Sequence, residues 1–138
     1  MGRAQEVWFG VVMVLHGMVH LLYAAHSAQR LQLKPGMTWP DGSWVWSRLL
    51  PARTVRDQAT VTMLLSGAAF VVGAAAVFAP QAWWRPVAVV AAALSALAFI
   101  FLWDGKKRNL DGQGAIGVII DVAVLVAALV LDWPQFGT

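Results

Sequence analysis

Formal charges interrupt the chain at long intervals and leave four extended apolar runs. The runs hold between 18 and 27 residues each, and they lie at 7–29, 58–84, 86–103 and 112–131. About 20 mostly apolar residues are enough for a helix to cross the hydrocarbon core of a bilayer. We therefore predict an all-α fold with a single transmembrane domain over residues 1–138. It is an integral membrane four-helix bundle with spans at about 7–28, 56–79, 84–103 and 114–132.

The second and third runs are apolar on every side of the predicted helix. Residues 68–79 and 87–102 contain almost only apolar side chains, whereas a helix that packs on a core in water keeps one polar face. This pattern favours a membrane protein over a water-soluble bundle. Composition agrees, since 59% of the residues are hydrophobic and only 12% are charged. The chain has no cysteine, which excludes disulfides and thiolate metal sites.

Lys and Arg are distributed unequally between the two sides of the predicted bundle. Eight of them fall in or beside the first and third loops, and only Arg3 and Arg85 belong to the other side. Cytoplasmic loops carry the excess of positive charge. We therefore predict a multi-pass protein of the cell membrane, with loops 29–55 and 104–113 in the cytoplasm and both termini outside. Basic residues placed between apolar runs indicate topology rather than a nucleic-acid partner.

The first loop is too long for a simple turn and too short for a domain. Ser43 can cap a short helix that Pro51 would end, and tryptophans lie close to basic residues in this segment. We predict an interfacial helix at about 43–50, with its Trp side chains toward the acyl chains. Four basic residues near the membrane surface are the candidates for lipid headgroup contact: Arg48, Lys106, Lys107 and Arg108.

Two histidines in the first span are the first candidates for chemistry. His16 and His20 are four residues apart and share one face of a helix, and Tyr23 lies on the same stripe. Two histidines on one face can supply ligands to a metal or to haem. Two ligands do not close a metal site, however, so a hydrogen-bonded structural pair is the preferred interpretation.

Asp121 is the only carboxylate deep within a predicted span, and such a group marks a functional position in membrane proteins. Ser66 in the second span and Ser95 in the third fall at nearly the same predicted depth as His20 and Asp121. Polar side chains avoid lipid, so we expect all four to turn inward and form one polar layer. We expect His20 to bond directly to Asp121, with His16 one turn deeper.

A glycine pattern at 112–117, Gly-Gln-Gly-Ala-Ile-Gly, matches the G-x-G-x-x-G of dinucleotide sites. That site needs a strand before the glycines and a soluble sheet around them. A basic loop precedes them here and a membrane span follows, so we interpret the glycines as allowing a tight turn and close helix contact. No catalytic residue set is predicted, and the chain is more consistent with a non-enzymatic role.

Four segments carry a resemblance to a known group: HGMVHLLYA at 16–24, WPDGSW at 39–44, LWDGK at 102–106 and GAIGVIID at 114–121. Through them the chain resembles small uncharacterised bacterial four-helix membrane proteins, and in size and span number it is similar to the DoxX-like proteins. The resemblance implies a four-helix membrane fold and an association with quinone-linked redox complexes. It also implies that an amide often occupies the position of Asp121.

Three functions remain open at this point. The first is a membrane binding or accessory subunit with a polar His/Asp cluster in its core and no bound cofactor. The second is a subunit of a membrane redox complex that binds quinone or haem through His16, His20 and Asp121. The third is a small oligomeric transporter. Membrane lipid is the expected partner in each, with another membrane protein or further copies of the chain as additional partners.

The predicted orientation is tested by single cysteines placed at Gly36 and Gly112, one in each of the charged loops. The native chain contains no competing thiol. We expect an impermeant thiol reagent to label both positions only after the cells are opened, because both loops face the cytoplasm. Labelling of both in intact cells would reverse the orientation.

Overall fold

The computed structural model describes residues 2–135, and this part of the chain folds into helices joined by loops. Four α-helices follow one another: α1 Gly2–Ser27, α2 Ala52–Phe78, α3 Trp84–Leu102 and α4 Ala115–Leu129. A single 3-10 turn lies in each charged loop, at Trp46–Arg48 and at Lys107–Asn109. No strand occurs between residues 2 and 135, so the predicted all-α class is confirmed for that range.

Three of these helices are long and apolar enough to cross a membrane: α1, α2 and α3, with 26, 27 and 19 residues. The fourth helix has only 15 residues, a rise of about 22 Å, so it is shorter than the predicted span 114–132. Gly114 begins it with a left-handed φ of 97°. After Leu129 the chain turns at Asp132, where φ is 51°, so apolar residues 130–131 lie beyond the helix.

Backbone packing is extensive between consecutive helices and slight between α1 and α4. Two glycines set the closest approach of α1 and α2. A Cβ atom on Gly17 would lie 3.0 Å from the carbonyl oxygen of Gly67, and one on Gly67 would lie 2.9 Å from that of Gly17. Only a hydrogen at each position allows this distance between the backbones.

The interior contains two separate apolar clusters. The first lies toward the chain termini and includes Phe9, Met13, Phe70, Val77, Trp84, Ala88 and Val124. The second lies toward the charged loops and includes Ala24, Trp39, Val55, Ala59, Met63, Phe99 and Leu102. The buried polar residues that fall between the parts of α1, α3 and α4 belonging to the two clusters are His16, His20, Ser95 and Asp121.

The first loop folds back on the end of α3. The backbone N–H of Trp44 bonds to the carbonyl oxygen of Trp103 at 2.8 Å, and its indole N–H bonds to that of Ile100 at 2.8 Å. The Ser43 hydroxyl donates to the Phe101 carbonyl at 2.6 Å and accepts the N–H of Trp46 at 3.0 Å. Of the helix predicted at 43–50, the structure contains the 3-10 turn Trp46–Arg48.

The contact between α1 and α2 predicts a strong response to one added methyl group. We expect Gly67→Ala to lower the free energy of unfolding by about 1–3 kcal/mol, because its Cβ meets backbone that cannot move without separating the helices. Gly2→Ala is the matched control, since its Cβ would meet only the end of Glu6, at 3.8 Å. The measurement is equilibrium unfolding in mixed micelles. Equal stability of both variants would contradict the close contact.

Candidate functional site

A hydrogen bond between α1 and α4 forms the centre of the candidate site. Nε2 of His16 lies 2.8 Å from Oδ1 of Asp121, although the two residues are 105 positions apart in the chain. His16 is 3% exposed and Asp121 is fully buried. Backbone contact between α1 and α4 is slight, and this side-chain bond links the first and last helices directly.

Two more side chains close the arrangement into a ring. The Ser95 hydroxyl on α3 lies 2.5 Å from Oδ2 of Asp121 and 2.5 Å from Nε2 of His20. Nδ1 of His20 then lies 2.8 Å from the backbone oxygen of His16. We call His16, His20, Ser95 and Asp121 the polar ring. Its four hydrogen bonds join three helices and begin and end on His16.

Aromatic side chains enclose the polar ring. The Phe70 ring on α2 lies 4.7 Å from the His16 ring and 5.4 Å from the His20 ring, measured between centroids. Phe99 on α3 lies 5.3 Å from His20. A Cβ atom on Gly114 would come within 2.1 Å of Phe99, and one on Gly117 within 2.9 Å. These two glycines therefore serve close helix contact, as the sequence suggested, by leaving room for Phe99.

The expected direct bond between His20 and Asp121 is wrong. His16 is the direct partner, and Ser95 stands between His20 and the carboxylate. The predicted depths were counted from the loop-side ends of the spans, and this count assumes that α4 starts level with the end of α1. In the structure the Tyr23 hydroxyl, one turn before the end of α1, bonds to the Gly112 carbonyl at 3.0 Å. The fourth helix thus starts deeper, which brings Asp121 level with His16.

The structure brings together four of the six predicted site residues. Tyr23 bonds to Gly112 outside the polar ring. Ser66 on α2 is fully buried, and its hydroxyl has no hydrogen-bond partner among the described residues. His26 bonds to the Trp39 carbonyl at 2.9 Å and accepts the Leu33 N–H at 3.3 Å. His26 therefore holds the first loop against the end of α1 and lies outside the polar ring.

The polar ring also contains the donor types that bind transition metals. Single donor atoms of His16, His20 and Asp121 lie within 4.8 Å of one another. Nε2 of each histidine and both carboxylate oxygens are already engaged in hydrogen bonds of the ring. A metal ion or a haem iron would have to replace several of these bonds. The arrangement is thus a hydrogen-bonded network that engages both carboxylate oxygens, the Ser95 hydroxyl and three of the four imidazole nitrogens.

The predicted headgroup residues divide between a cleft and the surrounding surface. Lys106 and Arg108 line a cleft of about 290 Å³ between the two charged loops, and Lys34 lines it from the other side. Neither Arg48 nor Lys107 belongs to its lining. Three cations from two loops therefore face one cleft, and one of them, Lys34, was not among the four residues predicted to contact headgroups.

Asp104 orders the loop beside this cleft. Burial acts to raise the pKa of its carboxyl group. The opposite effect comes from hydrogen bonds with the Asn109 side chain, the Lys106 backbone and Gln113, and from the positive charge of Lys106. Together these interactions outweigh the effect of burial. The pKa of Asp104 is therefore lowered. The Asn109 amide donates to its Oδ2 at 2.6 Å and the Lys106 N–H to its Oδ1 at 2.9 Å. The charged carboxylate holds the loop that carries Lys106 and Arg108.

Comparison of the chain with protein-family models, with curated proteins and with solved structures found no match.

We expect the same substitution at two buried serines to change the free energy of unfolding differently. Ser95→Ala should lower the free energy of unfolding by about 1–3 kcal/mol, because it leaves His20 and Asp121 without their shared partner. Ser66→Ala is the matched control and should be neutral or stabilising, because it removes a buried hydroxyl that has no hydrogen-bond partner within residues 2–135. Both serines are fully buried. Equal losses, measured by equilibrium unfolding, would contradict the ring.

Proposed function

We propose that the protein is a multi-pass integral membrane protein that acts as a non-enzymatic binding or accessory subunit, with the polar ring as its functional element. The observation that carries the proposal is the placement of the polar groups. A carboxylate, two histidines and a serine occupy the middle of a bundle whose outer surface is apolar. Ionisable groups in such a position are a burden on stability and are retained for a function.

Large apolar side chains on the outer surface support the membrane assignment. Leu15 on α1 is 57% exposed, Val90 on α3 is 62% exposed and Ile119 on α4 is 67% exposed. A soluble monomer rarely exposes such side chains over large continuous areas. Acyl chains are the medium in which this surface is stable. The length and apolar character of α1, α2 and α3 agree with that medium.

Several finer features belong to the same proposal. The two charged loops lie on the cytoplasmic side, where anionic headgroups attract basic residues. The cleft lined by Lys34, Lys106 and Arg108 then lies at headgroup level and contacts lipid phosphate. The 3-10 turn Trp46–Arg48 lies along the same surface, where the half-exposed Trp44 suits the membrane interface. The short fourth helix crosses with the help of the residues that flank it.

Spin labels at single cysteines test the membrane assignment. We expect labels at Leu15 and Ile119 to relax more strongly with dissolved oxygen than with a water-soluble nickel chelate, since oxygen concentrates in acyl chains. A label at Lys107, which is exposed in the third loop, is the matched control and should show the reverse order. Preferential relaxation of all three labels by the nickel chelate would show a bundle surrounded by water.

The visible spectrum of the purified protein separates this proposal from the redox alternative. The structure engages Nε2 of His16 with Asp121 and both ring nitrogens of His20, so an iron bound at any of these three atoms would have to replace a hydrogen bond. We expect no haem absorption in protein purified in mild detergent. A haem band that disappears in His16→Ala would overturn the accessory role in favour of a redox subunit.

A further inference from the structure

The polar ring contains four hydrogen bonds, and each needs one proton between its two heavy atoms. A carbonyl oxygen has none, so the bond between the His16 backbone oxygen and His20 takes its proton from Nδ1 of His20. A neutral His16 that carries its proton on Nε2 supplies that proton to an ionised Asp121. The Ser95 hydroxyl has a single proton, although its oxygen lies 2.5 Å from both His20 and Asp121.

Two neutral histidines, Ser95 and an ionised Asp121 therefore supply three protons for four hydrogen bonds. The contact left without a proton would bring two lone pairs together at 2.5 Å. The ring would also carry a net negative charge, although no side chain in it is more than 3% exposed. An unpaired acceptor and an uncompensated charge are both strongly unfavourable in apolar surroundings. One more proton removes both problems.

We infer that the polar ring is a proton-binding site that holds one additional proton, shared between Asp121 and His20 through the Ser95 hydroxyl. The inference rests on the proposed function, because it requires the interior around the ring to be free of water. It identifies a proton as the ligand of the polar ring. With the additional proton, each of the four hydrogen bonds contains one proton and the ring has no net charge.

Two arrangements of the protons satisfy this count. In the first, Asp121 carries the additional proton on Oδ2 and donates it to Ser95, which donates its own proton to Nε2 of His20. In the second, Nε2 of His20 donates to Ser95, and Ser95 donates to an ionised Asp121. Each arrangement becomes the other when one proton crosses each of the two 2.5 Å contacts. Ser95 keeps one proton throughout, so the ring is a short relay between α1 and α4.

Among residues 2–135, no other charged group takes part in the ring. From α2 the ring meets Phe70, and from α3 it meets Phe99 beside Ser95. Tyr23, the nearest titratable residue to His20 along α1, donates its hydroxyl proton to Gly112. The remaining charged residues of the helices all lie within the first six residues of a helix: Arg3, Glu6, Arg53, Arg56, Asp57 and Arg85. The additional proton therefore belongs to Asp121 and His20.

The proton count predicts how stability depends on pH. Above about pH 6.5, an unfolded chain has neutral histidines and an ionised Asp121. The folded ring then binds one proton more than the unfolded chain, so the unfolding equilibrium constant rises as pH rises, by about tenfold per pH unit. Below that pH the unfolded histidines are both protonated, and the direction reverses. Stability contributed by the ring is thus greatest near the ordinary titration range of histidine.

Asp121→Asn tests the inference directly. An amide at this position donates Nδ2–H to Ser95 and accepts from His16, so it supplies the fourth proton permanently and without charge. We expect the unfolding constant of the wild type, divided by that of the variant, to rise about tenfold per unit between about pH 7 and pH 9. The division removes the contributions of all other groups, because the two proteins differ only at residue 121.

A constant ratio across this range would overturn the proton site. It would leave the membrane assignment untouched, because the spin-label experiment does not depend on Asp121. The two proposals therefore fail separately.

Spectroscopy of the wild type provides a second test that does not require the variant to fold. With isotope-labelled Asp and His in nanodiscs at about pH 8, the first arrangement gives an infrared band of a protonated carboxyl group. The second gives the nitrogen signals of one imidazolium. We expect one of these signatures, or both if the arrangements exchange. Neutral imidazoles together with fully ionised carboxylates would overturn the inference.

Discussion

The structure depends on the requirement that a carboxylate buried away from water must find hydrogen-bond partners inside the protein. Asp121 meets this requirement with His16 on α1 and Ser95 on α3. The first and last helices, whose backbones touch only slightly, are therefore joined through a polar bond. Removing one partner leaves the other buried and unpaired. The free energy of unfolding then falls by more than the net contribution of the hydrogen bond itself.

The rest of the bundle supports that ring without contributing polar groups to it. Apolar clusters lie on both sides, and Phe70 and Phe99 cover the two imidazoles. Glycines permit the close packing, since Gly17 meets Gly67 between α1 and α2, and Gly114 leaves room for Phe99. The surroundings exclude water, which strengthens each hydrogen bond and makes an unbalanced charge unfavourable. Proton binding then follows from the count of donors and acceptors.

The second group of interacting polar residues lies in the charged loops. They bring Lys34, Lys106 and Arg108 to one cleft, and the Asp104 carboxylate orders the loop that carries two of these cations. Between the cleft and the polar ring lies the bond from Tyr23 to Gly112. That bond sets the level at which α4 begins. The position of the loop thus determines which histidine meets Asp121.

The sequence by itself determined the helical class, the approximate helix positions and the six polar candidates, because charge spacing and apolar runs are local properties of the chain. It also indicated that the buried polar groups would lie at nearly one level. It could not determine that Asp121 pairs with His16, that Ser95 bridges to His20 or that Ser66 has no partner. Those outcomes depend on the axial offset between helices, which Tyr23, the loops and the glycine contacts establish together. A shift of one turn, about 5.4 Å, exchanges one histidine for the other, and only tertiary packing sets a shift of that size.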